Sequence, residues 1–264
     1  MSAARGAATP ASPFDDLDSI RARLSGGPVL VALDFDGTLT EIVDDPAAPG
    51  ITAERRSFLA TIPAPGRRLT IVSGRKLEDV RRRVGIPGVI YIGNHGLEIE
   101  GPAVERRPPP EVADRLARLL GRIDRLLEDE AIEIQIEIED KTWTATLHIR
   151  PRGDSERQKA IADAIGEPVD EAGFVLRPGK ASWEIRPAGG FDKGDALRWL
   201  IDAVPGGSAA RSLYVGDDVT DEDAFRALPD GITVRVGDPD QETAARYRLV
   251  DPAEVYRLLE EVFG

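Results

Sequence analysis

Short apolar runs, each ending in a cluster of polar residues, constrain the fold of this chain more than any other feature. The first run is unbroken, covers residues 29–33 and is followed by DFDGT; a mixed segment at 68–72 ends at SGR, and a run at 89–92 ends at GNHG. An unbroken apolar, β-branched run such as the first is typical of a strand buried on both faces of a parallel sheet.

Segments with helical periodicity separate these runs, which predicts alternating strands and helices with the strands parallel. The same alternation resumes after residue 187, with strands predicted at 213–215, ending at GDD, and at 233–236. In such sheets ligands bind beyond the carboxyl ends of the strands. Because each of the polar clusters named above follows the end of a strand, we expect the chemistry of the chain at that edge.

Residues 108–187 follow a different pattern. A helix is predicted over 111–129, and strictly alternating apolar and polar residues follow over 131–149. This alternation indicates an antiparallel hairpin with one covered and one polar face. A second helix at 154–165 and a second pair of strands complete the segment.

The predicted fold class is α/β, with a Rossmann-like core built on a parallel sheet and an inserted α+β domain with an open-faced antiparallel sheet. The predicted division is a disordered tail (1–12), a discontinuous core (13–107 and 188–264) and the inserted domain (108–187).

The amino-acid composition limits the kinds of partner and of reactive site that this chain can have. The chain has 47 acidic and 34 basic residues, a net charge of −13, which disfavours a nucleic-acid backbone as partner because that needs a basic stripe. It has no cysteine and two histidines, which excludes disulfides, thiolate catalysis and Cys- or His-rich metal sites. No apolar run approaches the roughly 18 residues of a membrane span, and no apolar signal segment is visible. We expect a cytoplasmic protein without a membrane partner, and a monomer is favoured.

Asp34 and Asp36, at the end of the first run, are the strongest functional signal. Both carboxylates can point into the crevice if the chain turns there, and Gly37 permits such a turn. Together with Asp217 and Asp218 they would form an oxygen-ligand site suited to Mg²⁺. One carboxylate can act as nucleophile while its neighbour is general acid and base. A lone motif of this kind would more often simply close a turn, but the second acidic strand end favours a site.

Two further residues allow two interpretations each. Ser73 is either the N-cap of the helix that follows or a hydroxyl that binds a phosphate oxygen beside the helix N-terminus. Lys193, which opens a predicted helix, is either a solvated surface charge or the cation that balances the carboxylates and a phosphate.

The order of these motifs resembles the haloacid dehalogenase superfamily of phosphohydrolases. Its four motifs match Asp34/Asp36, Ser73, Lys193 and Asp217/Asp218, and the inserted domain lies where that superfamily has its type C2 caps. Longer strings are similar to trehalose-6-phosphate phosphatases: LDFDGTLT at 33–40, NHGLE at 94–98, GK at 179–180 with WEIRP at 183–187, and GDDVTDEDAF at 216–225. Trp183 departs from the family pattern, which often has a small β-branched residue there, and we expect it to change packing only.

This resemblance implies a Mg²⁺-dependent hydrolysis of trehalose 6-phosphate, a small sugar phosphate, as a step of trehalose biosynthesis. Asp34 would attack the phosphoryl group and form an aspartyl-phosphate, while Asp36 protonates the leaving sugar oxygen and later activates water. Mg²⁺ would be held by Asp34, by Asp36 through its carbonyl, and by Asp217.

The resemblance also implies roles around that centre. Ser73 and Lys193 would hold the phosphoryl oxygens, and Asp218 and Asp221 would orient metal-bound water or Lys193. The residues expected to contact the substrate are Arg75, Asn94, His95, Arg150, Lys180 and Glu184.

The support for these substrate contacts is unequal. Lys180 and Glu184 match a Lys and a Glu of the family's cap, and the alternation independently places both on the polar sheet face. The alternative for these two and for Arg150 is a solvated face. Asn94 and His95 reach the sugar or else only cap a turn.

Other functions are open at this point. The same chemistry could act on a sucrose-phosphate or on a mannosyl- or glucosyl-3-phosphoglycerate type of substrate. A non-catalytic sugar-phosphate sensor is disfavoured because Asp34, Asp36, Lys193 and Asp217 are all intact. A receiver-type domain phosphorylated on Asp is disfavoured by the chain length and by the inserted segment.

Overall fold

The computed structural model describes residues 10–41, 50–129, 135–150, 155–179, 182–204 and 207–264. The chain forms two compact units: a core unit, Met1–Arg106 with Phe191–Gly264, and an inserted unit, Arg107–Gly190. Within the described ranges, no helix is long and apolar enough to cross a membrane.

The elements, in chain order, are α1 (Leu17–Arg23), β1 (Val29–Asp34), α2 (Ala53–Leu59), β2 (Arg67–Val72), α3 (Leu77–Val84), β3 (Ile90–Gly93), β4 (Glu98–Gly101), β5 (Val104–Arg106), α4 (Pro110–Asp129), β6 (Gln135–Asp140), β7 (Ala145–Arg150), α5 (Ser155–Glu171), β8 (Phe174–Gly179), β9 (Ser182–Pro187), α6 (Lys193–Ala203), β10 (Ser212–Gly216), α7 (Asp221–Ala227), β11 (Ile232–Val236), β12 (Tyr247–Leu249) and α8 (Pro252–Phe263).

The sheet of the core unit has the strand order β12-β11-β10-β1-β2-β3-β4-β5. The strands from β12 to β3 are parallel, and β4 and β5 are antiparallel. The predicted α/β class is confirmed, although the short strands β4, β5 and β12 were not predicted because three or four residues carry too little pattern.

Strand β1 is buried along its whole length, as its unbroken apolar run predicts. Val31 and Leu33 join one apolar cluster, whereas Leu30 and Ala32 join a second one. Because successive side chains of a strand point to opposite faces, β1 serves both layers of the core at once. Its end, with Asp34, lies beside the ends of β10 and β2, which pair with it on either side.

The inserted unit has a four-stranded antiparallel sheet in the order β6-β7-β9-β8. Buried residues of α4, α5, β7, β8 and β9 form its apolar cluster. Helix α5 continues past residue 165, where the sequence predicted its end before Gly166 and Pro168. The buried Ile161, Ile165 and Val169 explain the difference, because they continue one apolar stripe across these poor helix formers.

The predicted disordered tail overlaps the described residues only at its last positions, and there the prediction is wrong. Ala11 forms a bridge with Tyr247, and its carbonyl accepts a hydrogen bond from the backbone of Arg248. The Ser12 hydroxyl accepts a hydrogen bond from the backbone of Phe14. Pairing with the edge strand β12 therefore fixes this end; residues 1–9 lie outside the described part of the chain.

Candidate active site

The chain turns sharply after Asp34, and Gly37 makes that turn possible. Gly37 has a φ of +84°, and a Cβ there would lie 2.1 Å from Oδ2 of Asp217. Only glycine satisfies both the left-handed backbone and the close approach. Thr38 Oγ1 donates to Asp217 Oδ1 over 3.3 Å, so the loop after β1 contacts the loop after β10 directly.

Lys193 links two buried carboxylates. Its Nζ lies 2.7 Å from Oδ1 of Asp34 and 2.7 Å from Oδ1 of Asp221, and the three side chains are between 0% and 6% exposed. Lys193 is the first residue of α6, whose N-terminus is fixed by a capping box between Asp192 and Asp195. The interpretation of Lys193 as a solvated surface charge is therefore wrong.

Burial and neighbouring carboxylates raise the pKa of Asp34 and of Asp217. Burial raises the pKa of Asp34 well above its usual range, against the opposing effect of Lys193, and Asp221 and Asp217 raise it further. Burial and the charge of Asp221 raise the pKa of Asp217 to about 7. Burial works against the charged form of Lys193, but Asp221 and Asp34 raise its pKa overall. Lys193 thus pairs directly with Asp34 and Asp221, and its charge acts on Asp217 as well.

An acidic cluster that could bind a metal ion follows from the same residues. Asp34, Asp217 and Asp221 each offer one carboxylate oxygen, and these oxygens lie within 4.8 Å of one another. An all-oxygen donor set is the one that hard divalent cations prefer. The set contains the predicted Asp34 and Asp217 and adds Asp221; the predicted ligand of Asp36 is its backbone carbonyl, which stays a prediction.

Asp221 is the most heavily bonded member of the cluster. Besides Lys193 it accepts hydrogen bonds from Tyr214 Oη at 2.6 Å and from the backbone N–H of Asp218 at 2.8 Å. The carboxylate of Asp218 accepts from Thr220 Oγ1. Of the two residues predicted to orient Lys193 or metal-bound water, Asp221 contacts the lysine, and a role of Asp218 toward water stays a prediction. Sequence reasoning missed Tyr214; the signal was a hydroxyl in an otherwise apolar strand, two residues before the GDD sequence.

Arg235 on β11 fixes the loop that carries Asp217 and Asp218. Its side chain is buried and donates to the carbonyl of Asp217 at 2.7 Å, to that of Asp218 at 3.3 Å and to Glu222 Oε1 at 3.0 Å. Glu222 is held in turn by the backbone N–H of Ala244. These residues were not predicted either, although an arginine within the apolar strand ITVRV is such a signal.

A second cluster involves Asp36. Arg75 binds its carboxylate through two hydrogen bonds, Nε to Oδ2 at 2.8 Å and Nη2 to Oδ1 at 2.7 Å. Arg75 also donates to Asp79 Oδ2 at 3.3 Å. The structure thus brings Arg75 to the predicted acid–base residue, whereas the sequence had assigned Arg75 to the substrate.

Ser73 is buried, and its hydroxyl accepts a hydrogen bond from the backbone N–H of Arg75 at 3.1 Å. It is not the N-cap of α3, because that helix begins at Leu77 and Lys76 occupies the cap position. The capping interpretation is therefore wrong, and the hydroxyl serves a local turn.

Asn94 and His95 follow β3 and are tied to the same loop. His95 N–H donates to the carbonyl of Ser73, and Asn94 N–H donates to that of Arg75. The Asn94 side chain donates to Glu98 Oε2 at 2.5 Å. A Cβ on Gly74 would lie 2.3 Å from the His95 ring, so the two loops are in close contact. Asn94 thus has a role within the turn.

The predicted substrate residues of the inserted unit are only partly described. Lys180 and the Arg150 side chain lie outside the described part. Glu184 lies on β9 and accepts from Arg186 Nε at 2.9 Å, while Trp183 packs against the apolar cluster, as their alternation predicted. Thr146, expected on the exposed polar face, is buried. It lies on a central strand between the longer side chains of Glu139 and Glu184, which explains the difference.

Comparison with known proteins gives one consistent result. The family model described as trehalose-phosphatase matches residues 32–253. A trehalose-phosphate phosphatase of Mycobacterium marinum is 38% identical over 232 residues, which cover 85% of this chain and 59% of that protein. Trehalose-phosphate phosphatase B of Arabidopsis thaliana is 32% identical over 272 residues, covering 95% of this chain and 70% of that protein.

A solved structure gives the same result for the fold. The C-terminal domain of the Candida albicans trehalose-6-phosphate phosphatase superposes with a TM-score of 0.77 at 24% identity, covering 97% of this chain and 99% of that one. The chain thus has the fold of that domain, whereas it spans less than two thirds of the mycobacterial relative's length.

Proposed function

Because this chain belongs to the trehalose-phosphatase family, we propose that it hydrolyses trehalose 6-phosphate to trehalose and inorganic phosphate. The observation that carries this proposal is the buried cluster in which Lys193 joins Asp34 and Asp221, with an oxygen of Asp217 within 4.8 Å. A carboxylate at a strand end, held by one cation beside a metal-competent acidic group, suits covalent phosphoryl transfer.

Asp34 is the nucleophile in this proposal. Its free carboxylate oxygen attacks phosphorus, the bond from phosphorus to the sugar oxygen breaks, and an aspartyl-phosphate forms. Asp36, once released from Arg75 and protonated by water, gives that proton to the sugar oxygen as it leaves. In the second step Asp36 takes a proton from water, whose oxygen attacks the phosphorus of the aspartyl-phosphate and restores Asp34.

The other residues hold charge in place. Lys193 keeps the Asp34 carboxylate oriented and balances negative charge on the phosphoryl group, and Ser73 would hold a phosphoryl oxygen. Mg²⁺, held by Asp34, Asp217 and Asp221 together with the carbonyl of Asp36, would offset the negative charge of nucleophile and phosphate. Asp218 contributes through its backbone N–H to Asp221.

Recognition of the sugar belongs to the same proposal. Glu184 on β9 would bind sugar hydroxyls together with Lys180 and Arg150, which the sequence alternation predicts on the same polar face. Asn94 and His95 would contact the substrate from the loop after β3. A polar site that loses its partner hydroxyls is left with unpaired groups, and this discriminates strongly between sugars. A monomeric state and a cytoplasmic location remain predictions from the sequence.

The decisive experiment is phosphate release from a panel of sugar phosphates, with and without Mg²⁺. We expect trehalose 6-phosphate to be hydrolysed best, Mg²⁺ to be required, and Asp34→Asn to abolish turnover while the circular dichroism spectrum is unchanged. Retained turnover in Asp34→Asn would contradict the nucleophile, and preference for another sugar phosphate would contradict the substrate.

A second variant separates sugar recognition from chemistry. We expect Glu184→Ala to lower kcat/KM for trehalose 6-phosphate by about a hundredfold, and much less for an aryl phosphate, because the sugar contact is lost. Glu137→Ala, on strand β6 of the same sheet, is the matched control. Equal losses on both substrates would show that Glu184 does not bind the sugar.

A further inference from the structure

A groove on the inserted unit is formed by residues that the proposed mechanism does not use. It encloses about 490 Å³ between α4 and the C-terminal end of α5 with the turn that follows. This volume is within the roughly 300–1,000 Å³ of small-molecule sites. Ala172 and Gly173 form part of its wall, and their small size leaves space for a ligand.

Three arginines of α4 line this groove: Arg115, Arg118 and Arg122. Their spacings of three and four residues place them on one side of the helix. At a rise of 1.5 Å per residue, the seven positions from first to last span about 10 Å. A ligand with two anionic groups could therefore contact more than one guanidinium group.

The two outer arginines are already positioned. The guanidinium carbon of Arg115 lies 5.8 Å from the centre of the Phe174 ring, which is buried. Arg122 Nη1 lies 2.6 Å from Glu171 Oε2. Arg115, held against this ring, loses less conformational entropy on binding a ligand, whereas Arg122 must first leave Glu171.

Arg118, between them, is exposed and forms no ion pair with any carboxylate that the structure describes. The groove lining has three arginines and one acid, Glu171, in a chain whose net charge is −13. This excess of positive charge favours an anionic ligand.

We propose that this groove binds a small anion carrying two linked phosphate groups, through Arg115, Arg118 and Arg122. Guanidinium groups bind phosphate oxygens with two parallel hydrogen bonds, which suits them better than lysine for this task. Arg118 supplies the uncompensated charge, and binding competes with the contact between Arg122 and Glu171. None of these three arginines has a role in the proposed phosphoryl transfer or in the proposed recognition of the sugar.

Isothermal titration of the full chain with inorganic pyrophosphate, in a buffer freed of metal ions, tests the proposal. Without metal the carboxylates around Asp34 repel the anion. We expect saturable binding that Arg118→Ala weakens by about tenfold, as the loss of a charged hydrogen bond predicts. Arg125→Ala is the matched control, since this exposed arginine lies one turn further along α4 and outside the groove.

Two additional measurements sharpen the test. Glu171→Gln should strengthen binding because it removes the competing carboxylate, and inorganic phosphate should bind about tenfold more weakly than pyrophosphate. Phosphatase activity should be unchanged in Arg118→Ala, which shows that the fold is intact. Absence of saturable binding, equal effects of Arg118→Ala and Arg125→Ala, or equal affinity for phosphate and pyrophosphate would each overturn the proposal.

Discussion

Two clusters in the core unit have the same composition, a cation between two carboxylates, and opposite surroundings. Lys193 lies between Asp34 and Asp221, and all three side chains are at most 6% exposed. Arg75 lies between Asp36 and Asp79, and their side chains are 22% to 41% exposed.

This difference in exposure corresponds to two different chemical requirements. A nucleophile must be held at one place, and burial with short ion pairs does this at a considerable cost in desolvation. An acid–base group must exchange protons with water and with the substrate, so a half-exposed, reversible ion pair suits it better. Burial, rather than residue type, therefore distinguishes the proposed roles of Asp34 and Asp36.

The largest effect is expected from Lys193→Met, which leaves two buried carboxylates without their cation. We expect a loss of about 3–5 kcal/mol in the free energy of unfolding. Phosphatase activity should fall by more than about a hundredfold. Urea denaturation and phosphate release measure the two quantities.

Lys159→Met is the control for this change, because Lys159 pairs with Asp163 on an exposed helix surface. It should alter neither quantity measurably. A stable Lys193→Met protein would show that the buried cluster is not held by its ammonium group.

The next effect concerns pH, through Asp217 and its pKa of about 7 in the metal-free protein. An unfolded Asp has a pKa of about 3.9, so the folded protein binds the extra proton between these values. The contribution of Asp217 to the free energy of unfolding is complete below about pH 4. It is lost as the pH rises towards about 7, by at most about 1.4 kcal/mol per pH unit.

Denaturation of the metal-free protein at several pH values measures this loss, and Asp217→Asn should remove it. Parallel pH profiles for the wild type and this variant would contradict the assignment. Metal binding should also abolish the dependence, since it requires the ionised carboxylate.

The smallest effect on stability is expected from Arg75→Ala in the exposed cluster. Ion pairs of this kind contribute about 0–1 kcal/mol, so the free energy of unfolding should barely change. Activity should fall by about tenfold, with an altered pH profile of kcat, because Asp36 loses its orientation.

Arg82→Ala is the matched control for Arg75→Ala, since Arg82 contacts Asp79 and is 72% exposed. It should leave activity unchanged. A large loss of stability in Arg75→Ala would remove the contrast between the two clusters.

The sequence predicted the parts of the site that are determined by a few neighbouring residues. The run into Asp34, the turn at Gly37 and the start of α6 at Lys193 each follow from a few neighbouring residues. The roles of Tyr214 and Arg235 could not be predicted from neighbouring residues, because their hydrogen-bond partners depend on how β10 and β11 pack in the folded sheet. The carboxylate of Asp36 turned to Arg75 for the same reason: the pair is 39 residues apart and forms only in the folded sheet.

The pairing of Lys193 with Asp34 joins residues 159 positions apart, and the whole inserted unit lies between them. During synthesis from the N-terminus, Asp34 leaves the ribosome roughly ten to thirty seconds before Lys193, at usual translation rates. In that interval its neighbours in the finished sheet include β2 but not β10. The carboxylate that defines the site therefore remains without its cation until most of the chain has been made, and the proposed chemistry is assembled last.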